Sequence, residues 1–230
     1  VGLAQDLVIN GNLANLRVGS DTQVNGSVLG SKVTVSGTLS NATITGAINN
    51  SGGLLVGRDL TALTVNADPA TAGTDLVGGT IDVRGTVGKM TVTGGGINGS
   101  IVGGAGITAL TTTGGGLDAG GAITSSLGNI GTIRLSGGGL NGAVTAPNGV
   151  ITSITLTGGM ASTGSIQARG LTTLTIPGDI AAGGAAINIT GKLGAVTAGN
   201  IGTGTTINAG ALGTVRTTGD ELANIVIGLG

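Results

Sequence analysis

Acidic side chains are the residues of this chain whose type and spacing come closest to a reactive or metal-binding site. The chain has ten Asp and Glu residues, and the densest group is Asp68, Asp75 and Asp82, with Arg84 nearby in sequence. Carboxylate oxygens are preferred ligands of hard cations, so these three aspartates are candidates for a cation site. Surface solubility explains them more simply, because widely spaced charged side chains are normally solvated.

The residues that other kinds of catalytic centre require are missing from the chain. The chain contains no His and no Cys, so a Ser-His-Asp triad, a zinc site and thiolate catalysis cannot be assembled. Glycoside hydrolysis needs two facing carboxyl groups, whereas the acids here are scattered along the chain. We therefore expect no enzymatic activity and no cofactor, with a carbohydrate-active β-helix enzyme as a third alternative after those described below.

Charge and composition also limit the partners. The formal net charge is -1 and there are no aromatic residues, so both the basic patch and the stacking platform of nucleic-acid-binding proteins are missing. The longest uninterrupted apolar runs are short, as at Leu54 to Val56, far below the roughly 20 residues that a transmembrane helix requires. We expect neither a nucleic-acid partner nor a transmembrane span.

The elements that must carry any site are constrained by 51 glycines and by the absence of Phe, Tyr and Trp. Without rings, an interior can be filled only by thin layers of aliphatic side chains and Thr. Collagen is excluded because Gly shows no three-residue period. Disorder is disfavoured because the mean hydropathy is +0.48 and charged residues make up only 8%.

A repeat of about 21 residues organises the chain. Its unit is an apolar residue, two small or polar residues, an alternating apolar and polar stretch, and then Gly. The alternation has the period of two that is typical of β-strands. The central apolar positions are Leu63, Met90, Leu110, Ile133, Ile154, Leu174, Val196 and Val215, with spacings of 27, 20, 23, 21, 20, 22 and 19 residues.

This period predicts an all-β fold, a single-stranded parallel β-helix (β-solenoid) with about 21 residues per coil and about ten or eleven coils. A β-propeller fits less well, because its blades need roughly 40 residues each. Glycine triplets such as 94–96, 114–116 and 137–139 follow the strand motif at a constant phase, so we expect them at the corners between faces.

One solenoid domain covering residues 1–230 is the simplest organisation. We expect less regular coils over 1–66, an inserted loop at 67–80 and regular coils over 81–230. The chain begins at Val1 without Met or a signal-like segment, so we expect a processed product or part of something longer.

A ladder of threonines, with Arg at intervals, is predicted on the outer surface. The outward positions expected coil by coil are Arg17, Thr34, Thr45, Thr64, Thr91, Thr111, Arg134, Thr155, Thr175, Thr197 and Arg216. Second outward threonines are expected at Thr93, Thr113 and Thr157. Three coils thereby resemble the flat Thr-x-Thr face of β-solenoid ice-binding proteins. The other explanation is that Thr is simply a suitable polar residue for a solvent-facing strand.

Both ends of the sequence are apolar. Solenoids usually carry a polar cap that prevents edge-to-edge pairing, and neither terminus looks like one. We therefore expect the ends to be held by another copy, head to tail, or by flanking coils of a longer chain. The expected assembly residues are Val1, Leu3 and Leu7 at one end and Ile225, Val226, Ile227 and Leu229 at the other.

The motifs Leu110-Thr111-Thr112-Thr113-Gly114 and Ile154-Thr155-Leu156-Thr157-Gly158 are typical of a larger group. With them the whole chain resembles the Gly- and Thr-rich β-helical regions of bacterial surface proteins, including filamentous-haemagglutinin-like adhesins and autotransporter passengers. The resemblance implies an extracellular or cell-surface location. Our first hypothesis is a non-enzymatic subunit that stacks into a filament, sheath or stalk. The alternative is an adhesin or ice-binding module that uses the Thr ladder, with possible cell-surface or polysaccharide contact.

Overall fold

The chain folds into a parallel β-solenoid of about nine turns, which are spaced about 21 residues apart. This computed structural model describes residues 5–19, 28–67, 72–220 and 224–228. Within those ranges all regular elements are β-strands. The predicted fold class is confirmed, and the turn count is compatible with the ten or eleven coils expected.

In the described part of the chain, twenty strands make up one continuous sheet. They are β1 (Leu7–Ile9), β2 (Leu13–Val18), β3 (Val28–Leu29), β4 (Lys32–Val35), β5 (Leu39–Thr45), β6 (Ala47–Ile48), β7 (Gly53–Val56), β8 (Leu60–Asn66), β9 (Asp75–Val77), β10 (Thr80–Val83), β11 (Thr86–Ile97), β12 (Ser100–Gly103), β13 (Gly106–Leu117), β14 (Ala122–Ser125), β15 (Ile130–Leu140), β16 (Ala143–Leu156), β17 (Ser165–Ile176), β18 (Ala186–Ala198), β19 (Thr206–Thr217) and β20 (Asn224–Ile227).

Each coil has three faces. The first face stacks β1, β4, β7, β10, β12 and β14, then the first halves of β16 to β19, and finally β20. The second face stacks β2, β5, β8, and the long parts of β11, β13 and β15, then the second halves of β16 to β19. The third face is narrow: β3, β6, β9 and the ends of β11, β13 and β15, continued by single bridges at Met160, Ile180 and Ile201.

Aliphatic side chains fill the space between the faces in vertical columns. The repeat positions Leu63, Met90, Leu110, Ile133, Ile154, Leu174, Val196 and Val215 pair in register on the second face. All of them except Val215 are at most 1% exposed. The interior is therefore the thin aliphatic stack predicted from the missing aromatic residues.

Glycine is required at the corner between the second and third faces. Gly94, Gly114 and Gly137 have φ values of 90°, 89° and 95°, in the left-handed region that side chains other than hydrogen rarely adopt. A Cβ on Gly137 would also lie 2.7 Å from the Cα of Gly114 in the preceding coil. These corners confirm the expected role of the triplets.

The segment expected as an inserted loop, 67–80, contains a rung of the third face. Its strand β9 pairs with β6 and β11, and Leu76 and Val77 are fully buried in the core. The described part of this segment is thus integrated into the solenoid, because its apolar pair continues the third-face column. The single-domain organisation stays a prediction.

Replacing Gly137 by Ala tests the corner, with Gly183→Ala as the matched control. Gly183 has a φ of 92° but an added Cβ would meet nothing within 4 Å, so its substitution costs conformational strain alone, about 1 kcal/mol. Gly137→Ala adds a backbone collision, and we expect a further loss of about 1–3 kcal/mol. Urea unfolding followed by circular dichroism measures both. Equal losses in the two variants would contradict the close coil contact.

Candidate functional site

The three aspartates considered for a cation site do not form one cluster. Asp75 belongs to β9 on the third face, whereas Asp82 lies exposed on β10 of the first face. Asp68 falls outside the described residues. Among the residues that the structure describes, no group of three or more acidic side chains could hold a metal ion. Asp75 and Asp82 are close in sequence, but a corner of the solenoid lies between them, so they belong to different faces.

Asp75 instead meets Asp118, which lies two coils further along the axis. Asp75 stands in register with Gly96, and Asp118 directly follows Leu117 on the next rung. The missing side chain of Gly96 makes room, since a Cβ there would lie 2.9 Å from Oδ1 of Asp75. The two carboxyl groups share a hydrogen bond. Coil spacing was the signal that could have found this pair in the sequence.

Burial raises the pKa of Asp75 to about 6 from its usual 3.8, with further contributions from the hydrogen bond to Asp118 and from the negative charge of Asp118. Folding therefore favours the protonated form of the Asp75 carboxyl group under mildly acidic conditions. Chemically, the pair is a proton-binding contact between coils.

The threonine ladder is a real column on the second face. Thr64, Thr91 and Thr111 pair in register, as do Thr155 and Thr175, and Arg134 stands between the two groups. All five threonines are half-buried by their neighbours above and below. Stacked strands place these hydroxyl and methyl groups about 4.8 Å apart along the axis.

Two positions of the expected ladder were wrong. Thr34 lies on the first face, between Val8 and Leu55 in register. Thr45 pairs with Asn66 in the neighbouring column. The ladder residue of that coil is Thr43, which pairs with Arg17 and Thr64. β4, on the first face, and β5, on the second, have the same alternation of apolar and polar residues. The sequence alone therefore did not show which face each strand occupies.

The second outward threonines are only partly continuous. Thr93 and Thr113 pair in register and are exposed, and the next member of that column is Ser136. Thr157 lies beyond the end of β16, where its Oγ1 accepts a hydrogen bond from the N–H of Gly137 at 2.8 Å. The exposed hydroxyl lattice is therefore two columns wide over β11 and β13.

The expected assembly residues divide into lumen and surface groups. Leu7 and Ile225 are half-buried against the core. Ile227 is in register with the buried Ala209, so it also belongs to a lumen column, and it is 52% exposed because no further coil covers it among the described residues. Val226 lies on the outer side of the strand and is 42% exposed. Val226 is in register with Asn208 and lines a cleft of about 450 Å³ beside it. Val1, Leu3 and Leu229 lie outside the described residues. The lumen side chains, not Val226, are thus the ones that another coil would cover.

Asp and Asn side chains at the corners join successive coils, a feature that the sequence analysis missed. Each accepts a hydrogen bond from a backbone N–H of the following coil. The pairs are Asp6 with Lys32, Asn12 with Thr38, Asp59 with Thr86, Asn129 with Val150, Asp179 with Asn200, and Asn200 with Asp220, all at 2.8 Å. The side chains give these exposed corner amides a hydrogen-bond partner within the protein. Their recurrence at the coil period was the available signal.

No helix in the described ranges has the length and apolar character that crossing a membrane requires.

Comparison with known proteins does not assign the chain to a family. No protein-family model matches the chain, and no curated protein or solved structure is significantly similar to it. The solenoid architecture is shown, while membership of the haemagglutinin-like or autotransporter-like groups stays a prediction.

Stability should fall as pH rises through the titration of Asp75. A raised pKa in the folded state means that folding favours the protonated carboxyl group, so its contribution is fully present below pH 3.8 and lost by about pH 6. Because Asp75 is partly solvent-exposed, we expect an effect of about 1 kcal/mol or less. Thermal unfolding of the wild type and of Asp75→Asn at pH 4 and pH 7 measures it, and the variant should lose less stability over this interval.

Asp82→Asn is the control, since it removes an exposed carboxylate from another face. An identical pH response in the wild type and in Asp75→Asn would refute the raised pKa of Asp75.

Proposed function

We propose that this protein is a non-enzymatic structural component outside the cell or on the bacterial surface. In this role a rigid solenoid is extended at its ends by further coils, which come from a second copy joined head to tail or from a longer chain. Filaments, sheaths and stalks are the assemblies that such joining produces, because a head-to-tail contact does not close on itself.

The observation that carries the proposal is the incomplete burial of the apolar lumen columns at the two described ends. On the second face one column runs from Leu13 through Leu39 and Leu193 to Leu212. Its interior members are at most 2% exposed, whereas Leu13 and Leu212 are only partly buried. Leu7 and Ile225 end the first-face column in the same way. Apolar side chains that are covered everywhere else are thus open at the ends, and burying them would favour association.

Backbone groups at the last coil support the same conclusion. Strand β20 covers only the first half of β19, from Thr206 to Ala209. Among the described residues, the second half of β19 pairs with β18 on one side and with no strand on the other. An unpaired parallel edge adds strands readily, so a new coil would gain hydrogen bonds together with apolar contacts.

The non-enzymatic part of the proposal rests on composition and on the scattered acids. The chain has no His or Cys, and its closest carboxyl pair, Asp75 and Asp118, joins two coils of the third face. The extracellular location is supported by the compositional resemblance to surface solenoids.

Substitution at the open end tests the assembly. Val215→Lys places a charge in the lumen of the last second-face rung, and we expect it to abolish filaments that the wild-type chain forms. Thr214→Lys is the matched control, because Thr214 is an exposed neighbour on the same rung. Damage from either change should stay local, since each coil contacts only its neighbours.

Electron microscopy and sedimentation velocity over a range of concentrations provide the measurement, with circular dichroism to check folding. Uniform monomers of the wild-type chain would exclude polymerisation of this chain by itself. Equal polymerisation of both variants would show that the lumen is not the contact.

A second candidate function is binding of an ordered, repeating ligand such as ice by the second face. The observation that favours it is the continuous register of Thr43, Thr64, Thr91 and Thr111, which repeats one hydroxyl and one methyl group at a constant spacing. Thr155, Thr175 and Thr197 extend the column beyond Arg134. A rigid lattice of this kind can bind a periodic surface without a deep pocket.

Thermal hysteresis and ice-recrystallisation assays test this candidate. Thr111→Tyr places a ring in the middle of the column and should abolish an activity that the wild type shows. Thr124→Tyr is the control, because Thr124 occupies the equivalent outward column of the first face. Wild-type values equal to those of buffer would eliminate ice as the ligand.

A further inference from the structure

The corner between the first and second faces changes length in successive coils of β16, β17 and β18. Between the paired positions Ala146 and Ile151, strand β16 has residues 147–150. At the same place β17 has only 169–170, and β18 has 190–192. A short corner thus lies between two longer ones. Such irregularities in strand pairing redirect side chains and often accompany binding sites.

A cleft of about 520 Å³ opens above the short corner. Val150 lines it from the longer corner of β16, and Gly191 and Lys192 line it from β18, with Arg169 and Gly170 between them. A Cβ on Gly170 would lie 3.3 Å from Cγ2 of Val150, so the absence of a side chain at Gly170 leaves space at the bottom of the cleft. The volume is within the range of small-molecule sites.

Positive charge is concentrated in this cleft without a compensating acid. Arg169 and Lys192 are both exposed, and the lining contains no Asp or Glu. Residues 121–220 contain two acids, Asp179 and Asp220, and both lie near the opposite end of the second face. Asp179 already accepts two hydrogen bonds from Asn200.

The other clefts differ in charge. One pairs Lys32 with Asp82 and another contains both Asp82 and Arg84, so each is balanced. The cleft beside Asn188 and Asn208 has no charged residue in its lining. The combination of concave shape and uncompensated positive charge is therefore specific to the corner of β17 among the four clefts described.

We propose that this cleft binds the anionic group of an acidic saccharide, a carboxylate or a sulfate, with Arg169 and Lys192 as its counter-ions. Arg presents a planar fork that matches a carboxylate or sulfate through two hydrogen bonds, and Lys adds a point charge. Val150 gives the cleft a small apolar wall beside these charges, and the hydroxyl group of Thr172 and the backbone of the lining glycines add polar groups that could bind sugar hydroxyls. The absence of aromatic residues disfavours a nucleotide, because no side chain can stack on a base.

Binding of defined oligosaccharides to the full chain tests the proposal. The probes are a trigalacturonate for carboxylate, a sulfated oligosaccharide of similar length, and neutral maltotriose, titrated at low salt and followed by amide chemical shifts. We expect saturable shifts at Val150, Gly170 and Gly191 with the acidic probes alone. Arg169→Gln and Lys192→Gln should each weaken binding about tenfold. Arg169→Lys should weaken it by less, because it keeps the charge and loses the fork.

Arg134→Gln is the matched control, since Arg134 is an exposed arginine of the threonine column and not of the cleft. All four variants change exposed side chains, and unchanged melting temperatures will verify their folding. Comparison of the two acidic probes identifies the preferred anion. Failure of both probes to bind, equal binding of maltotriose, or an equal loss in Arg134→Gln would overturn the proposal, whatever the assembly state of the protein.

Discussion

Parallel stacking of each coil directly on the previous one is the constraint on which the rest of the structure depends. Hydrogen-bonded strands lie about 4.8 Å apart, so every residue faces an equivalent residue of the next coil at that distance. A side chain must therefore fit against the side chains directly above and below it in the column. Aliphatic chains, Thr and Asn satisfy this condition, whereas a glycine corner such as Gly137 leaves no room even for a methyl group.

Function under this constraint must come from the outside of the coils, from their edges or from local departures from the repeat. The threonine column is an outside feature, and the half-buried Leu13 and Leu212 belong to the edges. The carboxyl pair of Asp75 and Asp118 is a departure, because Gly96 has no side chain between them. The corner of β17 is another, because it has two residues where the corner of β16 has four. A regular solenoid offers one surface many times, and an irregularity makes one place in it distinct.

Sequence reasoning reached the parts of this structure that repeat. The period of the apolar residues predicted the solenoid, its coil length and the core positions from Leu63 to Val215, because a column needs the same residue type at each turn. It failed where the assignment depended on which face a short strand occupies, as with Thr34 and Thr45. It also missed contacts between residues far apart in the chain, such as Asp75 with Asp118, since their proximity depends on the exact register of the corners. The cleft has the same origin and could not be predicted from the period alone.

The corner hydrogen bonds give the solenoid a direction. In all six Asp and Asn contacts the acceptor side chain belongs to the earlier coil and the N–H donor to the later one, as with Asp6 and Lys32 or Asn200 and Asp220. The Asp and Asn contacts thus run one way along the axis, whereas Oγ of Ser36 and Oγ1 of Thr157 accept hydrogen bonds from the N–H groups of Gly11 and Gly137 in the earlier coil. Because the strands of successive coils pair in parallel and the Asp and Asn acceptors always belong to the earlier coil, the two ends of such a stack are not equivalent, and an assembly built from these coils has an intrinsic polarity.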